Sequence, residues 1–198
     1  MRERILAAAF GTFAQHGFAR ASTLEIATRA KVSKRELYAL FGNKQEMLVT
    51  CISERAMRMR LPAGWPVPRN RQDLQAGLVE IGAVLMREIS DPDVIAVYRI
   101  AVAEAERAPE VAQALDRYGR QAASAALQEF LESAQSAGLL AAGNPGPMVS
   151  RFMVLLLEGL VMNLALGVVK RPSANEIRRR ATEASQAFLA LNPQRSAL

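Results

Sequence analysis

A short stretch near the N-terminus concentrates side chains that can bind nucleic acid. The planar guanidinium of Arg35 can donate two parallel hydrogen bonds to the O6 and N7 atoms of a guanine, and the ammonium of Lys34 suits a base edge or a phosphate. The hydroxyls of Thr23 and Tyr38 and the ammonium of Lys44 suit phosphate oxygens, which set register without reading sequence. These residue types therefore predict contacts to base edges and to phosphates.

Two short helices must position these side chains, because the spacing Ser-x-x-Glu occurs twice in close succession. Ser22 with Glu25 and Ser33 with Glu36 each fit a capping box, which satisfies backbone N–H groups that a helix start leaves unpaired. Helices this short are not stable alone in water, so they must pack on each other and on a neighbour. The segment therefore predicts a helix-turn-helix.

The neighbouring sequence predicts a three-helix core. A first helix is expected over about residues 2–15, ended by Gly17, because apolar residues recur three and four positions apart. Asn43 is expected to cap a fourth helix. With Leu37 and Phe41 inward, Lys34, Arg35 and Tyr38 fall on the outer surface, from which a recognition helix touches DNA. The expected core residues are Ile5, Leu6, Ala9, Phe10, Phe13, Ala27, Ala30, Leu37 and Phe41, with either Leu24 or Ile26.

The positive charge of the chain is concentrated in this small unit. Its first 46 residues hold eight Lys or Arg against four Asp or Glu, so they carry +4 of the formal +6. Any one of these side chains could simply be a solvated surface residue. Their combination with two successive helix-start motifs favours DNA contact. The basic triplet at residues 178–180 could suggest a second DNA patch, but a solvated or cross-subunit paired surface is the preferred interpretation.

Composition argues against an enzyme and against a cofactor. The single cysteine, Cys51, excludes an intramolecular disulfide and a multi-cysteine metal site; it is expected to be packed, with a redox sensor as the alternative. The single histidine, His16, is explained as a helix-end residue. The sequence contains no metal cluster, nucleophile elbow, phosphate loop or dinucleotide fingerprint. It also opens on an amphipathic helix rather than a signal core, which predicts a cytoplasmic protein.

The remainder of the chain predicts an all-α fold of about nine helices. The later helices are expected at residues 43–60, 70–90, 92–107, 109–137, 145–169 and 173–191, separated by Pro and Gly. Residues 152–169 are almost wholly apolar, but Glu158 and Asn163 are costly in lipid, so this segment is interpreted as a buried core or dimer helix rather than a membrane span. The predicted domains are a DNA-binding domain at 1–46 and a larger helical domain at 47–198.

The N-terminal sequence resembles the TetR family of bacterial transcriptional regulators. The resemblance is carried by residues 5–10, 17–18, 22–27 and 32–44. By position, it assigns recognition-helix contacts to Lys34, Arg35 and Tyr38, a contact from the preceding helix to Thr23, and phosphate binding to Lys44. The sequence departs from the family pattern at the turn, where Lys31 replaces a glycine, and at Arg35 and Glu36, which replace small residues. Lys31 could adopt the glycine conformation at some strain, or the turn could differ slightly.

The resemblance also implies partners. The helices expected at 145–169 and 173–191 would pair with those of a second subunit in the family's four-helix dimer element. The two DNA-binding domains would then bind a palindromic operator, usually to repress. It implies a small-molecule effector in the larger domain, with Glu104 or Glu106 as further polar anchors; no metal is expected. A helical ligand carrier and a non-specific nucleoid protein are the competing hypotheses. Met and aromatic residues at helical spacing are more often core packing than ligand contacts, and Arg99 is given as a polar anchor. The expected effector residues are Met86, Tyr98, Arg99, Val102, Phe130, Phe152 and Met153.

Overall fold

The computed structural model of the chain describes residues 1–58, 65–106 and 108–193, and the side chains of residues 56–58 are not described. These residues form helices and no strand, which confirms the all-α prediction. The chain divides into two compact units, one of Met1–Met59 and Asp93–Arg120 and one of Arg60–Pro92 and Gln121–Leu198. The helices are α1 Arg2–Arg20, α2 Thr23–Ala30, α3 Lys34–Phe41, α4 Lys44–Arg58, α5 Arg71–Ile89, α6 Pro92–Ala103, α7 Pro109–Leu115, α8 Gln121–Ser136, α9 Pro145–Leu157, α10 Leu160–Leu166 and α11 Ala174–Leu191.

The first unit contains the predicted three-helix core. Leu37 of α3 and Ile26 of α2 are fully buried in the cluster that also contains the apolar stripe of α1, whereas Leu24 is exposed. Of the two residues that the sequence left open, Ile26 is therefore the core residue. Gly17 interrupts α1 with a positive φ of 72°, as expected, and one further turn follows it. The first helix therefore breaks where it was predicted to end.

Helices α6 and α7 complete the core of the first unit. Val97 and Ile100 of α6 and Val111 of α7 are buried in the same cluster as the residues of α1 and α4. Arg55 of α4 lies 3.5 Å from the centre of the Phe10 ring and 2.6 Å from a carboxylate oxygen of Asp93. The compact unit is therefore larger than the predicted DNA-binding domain, and a functional boundary at residue 46 stays a prediction.

Two predicted helices are broken, so the described residues contain eleven helices rather than nine. The helix expected at 109–137 passes through a π-helical turn at Asp116–Arg120. The helix expected at 145–169 ends at Leu157, because Glu158 and Gly159 both adopt left-handed conformations with φ of 37° and 75°. The predicted helix end at 60 lies outside the described residues, whereas the helix predicted to run to 107 ends at Ala103 and is followed by a turn.

The second unit is built on α5, α9 and α11. Two aromatic rings anchor its core: Phe152 of α9 and Phe188 of α11 meet edge to face at 5.6 Å. Gly82 of α5 lets this cluster approach, since a Cβ there would lie 3.1 Å from a methyl carbon of Leu156. Ser173 caps α11 in a capping box with Glu176, as the Ser-x-x-Glu spacing indicates.

The apolar segment that composition alone could suggest as a membrane span forms α9 and α10. Within the described ranges, no single helix combines the length and the apolar composition needed to cross a bilayer. Helices α9 and α10 meet those two criteria only when they are taken as a pair, and the pair is bent by 46°.

Candidate nucleic-acid interface

Helix α3 begins with a complete capping box. The Ser33 hydroxyl oxygen accepts a hydrogen bond of 3.1 Å from the Glu36 N–H, and a Glu36 carboxylate oxygen accepts bonds of 2.7 Å and 2.8 Å from the Ser33 N–H and hydroxyl. These bonds from the Ser33 backbone and hydroxyl hold the pKa of Glu36 below its usual value. The prediction for this helix start is confirmed, and the cap fixes where α3 begins.

The capping box predicted at Ser22 is wrong. The Ser22 side chain makes no cap hydrogen bond at the start of α2. The Glu25 carboxylate, which would complete the box, instead lies 2.7 Å from the Arg29 guanidinium and 3.4 Å from the His16 imidazole. An arginine one turn along the same helix therefore takes the carboxylate that the spacing assigned to the cap.

The turn between α2 and α3 uses Lys31 in the left-handed region. Its φ of 53° and ψ of 51° are the conformation that glycine adopts at low cost. The Lys31 N–H donates to the Thr28 carbonyl oxygen and the Val32 N–H donates to the Ala27 carbonyl oxygen, which closes the end of α2. Of the two alternatives for this turn, the structure shows the strained lysine.

The side chains predicted to contact DNA lie at one surface of α3. Lys34, Arg35 and Tyr38 are all exposed, and neither Lys34 nor Arg35 has a polar side-chain partner among the described residues. The Tyr38 hydroxyl lies 3.0 Å from the hydroxyl of Thr23 on α2. Because a pair of hydroxyls holds two hydrogens and uses one in their mutual bond, one O–H remains to donate to a phosphate oxygen.

Lys44 occupies a different environment from the other four predicted residues. Its ammonium donates to the carbonyl oxygens of Phe18, Ala19 and Ala21 at 2.8 Å, 3.3 Å and 3.1 Å. An ammonium has three N–H donors, so these bonds use all of them. Lys44 thus ties the start of α4 to the end of α1, a role that sequence reasoning missed because nothing local to residue 44 indicates three carbonyls of a distant turn.

The basic triplet at 178–180 is paired within the chain. Arg178 lies 2.7 Å from Glu80, Arg179 lies 3.0 Å from Glu183, and Arg180 lies 3.2 Å from Glu158. Each guanidinium therefore has a carboxylate neighbour, in contrast to Arg35. The structure supports a paired surface for these arginines rather than a second patch of free cations.

The residues predicted to bind an effector fall in both units. Met86, Phe130 and Phe152 are buried in the second unit, where the Phe130 ring packs so closely on Gly77 that a Cβ there would lie 2.3 Å from it. Met153 is half-buried in the same unit. In the first unit, the exposed residues of this set, all on α6, are Tyr98, Arg99 and Val102. The predicted anchor Glu104 is buried and Glu106 is exposed.

The only cysteine is packed. The Cys51 thiol is buried and donates a weak hydrogen bond of 3.6 Å to the Leu6 carbonyl oxygen. Burial raises the pKa of this thiol to about 12, against a smaller opposite effect of Arg55. Among the residues that the structure describes, no group of three or more His, Cys, Asp or Glu side chains could hold a metal ion.

Helix α3 has a complete capping box, follows α2 across a tight turn, and exposes Lys34 and Arg35, which have no polar side-chain partner in the described part of the chain. This arrangement is that of a helix-turn-helix DNA-binding protein. The chain belongs to the TetR family of bacterial transcriptional regulators. Residues 5–51 match the model of bacterial regulatory proteins of the tetR family, and residues 76–191 match the C-terminal domain of AefR-like transcriptional repressors.

Comparisons with individual proteins agree with this membership. The uncharacterized HTH-type transcriptional regulator YvkB of Bacillus subtilis (strain 168) is 26% identical over 166 residues, which are 83% of this chain and 84% of YvkB. The flavonoid-responsive regulator FrrA has a TM-score of 0.80 and 26% identity, covering 99% of this chain and 98% of FrrA. A TetR-family regulator from Mesorhizobium loti MAFF303099 has the same fold, with a TM-score of 0.81, 22% identity and 96% of each chain covered. The proteins to which the chain is similar in these comparisons are transcriptional regulators.

Proposed function

We propose that this protein is a cytoplasmic repressor that binds a palindromic operator as a homodimer and releases it when a small-molecule effector binds. The observation that carries the proposal is the pair of unpartnered cations, Lys34 and Arg35, at the exposed start of a rigidly capped helix. The match of residues 76–191 to a transcriptional repressor domain supports repression as the direction of control.

The DNA contacts are divided by chemistry. Arg35 reads a guanine, Lys34 contacts a base edge or a phosphate, and the hydroxyl pair of Thr23 and Tyr38 donates to a phosphate. Lys44 contributes by holding the helices that carry these groups, since its N–H donors are already bound to carbonyl oxygens. The positive charge of Lys44 can attract a phosphate electrostatically, but not through a direct hydrogen bond.

The dimer interface is proposed on α9, α10 and α11. Three apolar side chains of this region are largely exposed in the single chain: Val154 is 71% exposed, Met162 61% and Leu166 67%. Apolar side chains clustered on exposed helices are typical of a subunit interface. A two-fold dimer would present two copies of α3 to two half-sites of one duplex.

The effector is proposed to be a small apolar or aromatic compound. Tyr98 and Val102 of α6 are the predicted effector residues that leave most apolar surface exposed. The likeness to FrrA, which is described as flavonoid-responsive, makes flavonoids the first class to examine. Release requires that the compound bind the non-DNA-binding conformation more tightly, because equal affinity shifts no equilibrium.

The DNA proposal is tested by selecting bound fragments from random duplexes and measuring the affinity for the selected sequence. We expect one palindrome, bound in a salt-dependent way, with affinity lost in Arg35→Ala and Tyr38→Ala. The matched control is Arg69→Ala, which removes an exposed arginine outside α3 and outside the proposed dimer helices and is expected to leave the affinity unchanged. Equal affinity for every duplex would indicate a nucleoid protein instead, and ligand uptake without DNA affinity would indicate a carrier.

Dimerisation and release are tested separately. Sedimentation of Met162→Glu and Leu166→Glu is expected to show monomers, because a charge at a buried interface position is not tolerated. Val67→Glu, at an exposed valine outside the proposed interface, is the matched control and is expected to stay dimeric. Flavonoids and other apolar aromatic compounds are then titrated into the wild-type DNA complex. Failure of every such compound to release DNA would contradict the effector class but not the DNA proposal.

A further inference from the structure

The outer face of α3 is centred on two residues. Leu37 and Phe41 are buried and define the inner face of the helix. At 3.6 residues per turn, the positions closest to the centre of the opposite face are Arg35 and Ala39, which lie one turn apart. Both residues are exposed. A duplex that approaches α3 head-on therefore meets the guanidinium of Arg35 and the methyl group of Ala39.

The flanking polar side chains are already engaged. The Glu36 carboxylate accepts two hydrogen bonds from Ser33, and the Tyr38 hydroxyl is bonded to Thr23. These contacts hold both groups beside the outer face rather than across it. Ala39 has no polar atom and a short side chain, so the helix backbone can come closer to a base edge at this position than a longer residue would allow.

Two consecutive exposed apolar side chains lie near this end of the helix. Leu40, the next residue, is 44% exposed and adds apolar surface beside Ala39. In the major groove, the apolar feature that distinguishes one base from the others is the C5-methyl group of thymine. A cytosine in the same place would offer no methyl, and its N4 amino group would face carbon atoms without an acceptor.

We infer that Ala39, aided by Leu40, reads the C5-methyl group of a thymine in each operator half-site. Four residues of helix span about 6 Å, and base pairs are spaced about 3.4 Å apart, so this thymine lies about two base steps from the guanine that Arg35 contacts. The inference rests on the proposed DNA-binding function and adds a specificity residue to it.

The test uses the full-length protein and the operator selected from random duplexes. Each thymine of a half-site is replaced in turn by deoxyuridine, which removes only the methyl group. We expect one position at which the replacement weakens wild-type binding about fourfold per half-site, the change expected for one buried methyl. The other thymines are expected to give no change.

A variant links this effect to the protein. Ala39→Ser replaces the methyl surface with a hydroxyl and is expected to bind thymine and deoxyuridine duplexes equally at that position. Ala14→Ser, at an exposed alanine of α1, is the matched control and is expected to keep the wild-type preference. Circular dichroism establishes that both variants are folded.

The outcomes separate this inference from the function on which it rests. Specific binding with no thymine in the half-site, with every deoxyuridine neutral, or with the preference retained in Ala39→Ser overturns the role of Ala39 alone. Absence of any preferred sequence overturns the DNA-binding proposal and this inference together.

Discussion

The ammonium nitrogen of Lys44 lies 2.8 Å from the carbonyl oxygen of Phe18 and 4.6 Å from the centre of the Phe18 ring. The same group also binds the carbonyl oxygens of Ala19 and Ala21. A cation at the carbonyl end of a helix is favourable, and here it joins the segment leading into α2 to the first turn of α4. Lys44 thereby fixes where the chain enters α2, the helix that precedes α3 with its proposed DNA contacts.

Replacing Lys44 with methionine is expected to destabilise the first unit by about 1–3 kcal/mol, because three backbone oxygens lose their charged donor. The DNA affinity is expected to fall, since the unit is less rigid, while its dependence on salt concentration stays unchanged. Urea denaturation and anisotropy titrations at several salt concentrations measure the two effects.

Lys34→Met is the matched control for that experiment. It removes a cation that has no polar partner among the described residues, so stability should hold and the slope of log affinity against log salt should fall by about one per phosphate contact. A loss of slope in Lys44→Met equal to that in Lys34→Met would show that Lys44 contacts a phosphate after all.

The two serines at the helix starts should respond differently to substitution by alanine. Ser33→Ala removes a formed capping box and is expected to lower the midpoint of thermal unfolding by about 2–4 °C. Ser22→Ala is the control, because the Ser22 side chain makes no cap bond, and it should unfold with the wild type. An equal loss in both variants would contradict the difference between the two caps.

The α3 cap also predicts a pH dependence. Hydrogen bonds from Ser33 lower the pKa of Glu36 in the folded protein, so its ionised form is favoured by folding. This contribution is fully present above the ordinary pKa of 4.5 and is lost as the pH falls through the lowered folded value. The stability difference between wild type and Ser33→Ala should therefore shrink on acidification. Carboxyl NMR titration should show the Glu36 pKa rising in Ser33→Ala.

Cys51 is expected to be unreactive in the native protein. With its pKa raised to about 12, the thiol stays protonated at neutral pH, and burial excludes reagents. Labelling with iodoacetamide at about pH 8 should be slow in buffer and complete in denaturant. Rapid labelling of the folded protein, or release of DNA by mild oxidant, would revive the redox-sensor alternative.

Arg71 should be a large contributor to the stability of the second unit. Its guanidinium donates to the carbonyl oxygens of Leu139, Leu189 and Asn192 at 2.9 Å, 2.6 Å and 2.9 Å. Arg71→Met leaves those oxygens without a charged donor and is expected to cost about 2–4 kcal/mol in urea denaturation. Arg69→Met, at a surface ion pair with Asp73, should change stability by less than about 0.5 kcal/mol.

Local sequence patterns predicted much of the helix-turn-helix because the relevant interactions span only three or four residues. The Ser33 cap, the buried position of Leu37 and the outward position of Arg35 all follow from such short spacings. The Ser22 cap failed for a reason of the same range, since Arg29 competes for Glu25. A spacing identifies which groups could pair but not which of two partners wins.

Other features depend on contacts between distant parts of the chain. The carbonyls that hold Lys44 lie more than twenty residues away, and the buried partners of α4 include residues of α6 and α7. The break of the apolar helix at Glu158 was missed because the surrounding residues continue the helical pattern. Here backbone conformation at two positions overrides a favourable composition.

The left-handed turn at Lys31 has one more consequence. A glycine there would relax the backbone, but it would also remove a positive charge from the turn between α2 and α3, the helices proposed to contact DNA. Lys31 thus costs this unit some stability, while its charge adds electrostatic attraction for a polyanion. At this position, the residue that gives the highest affinity for a polyanion is therefore expected to differ from the residue that gives the highest stability.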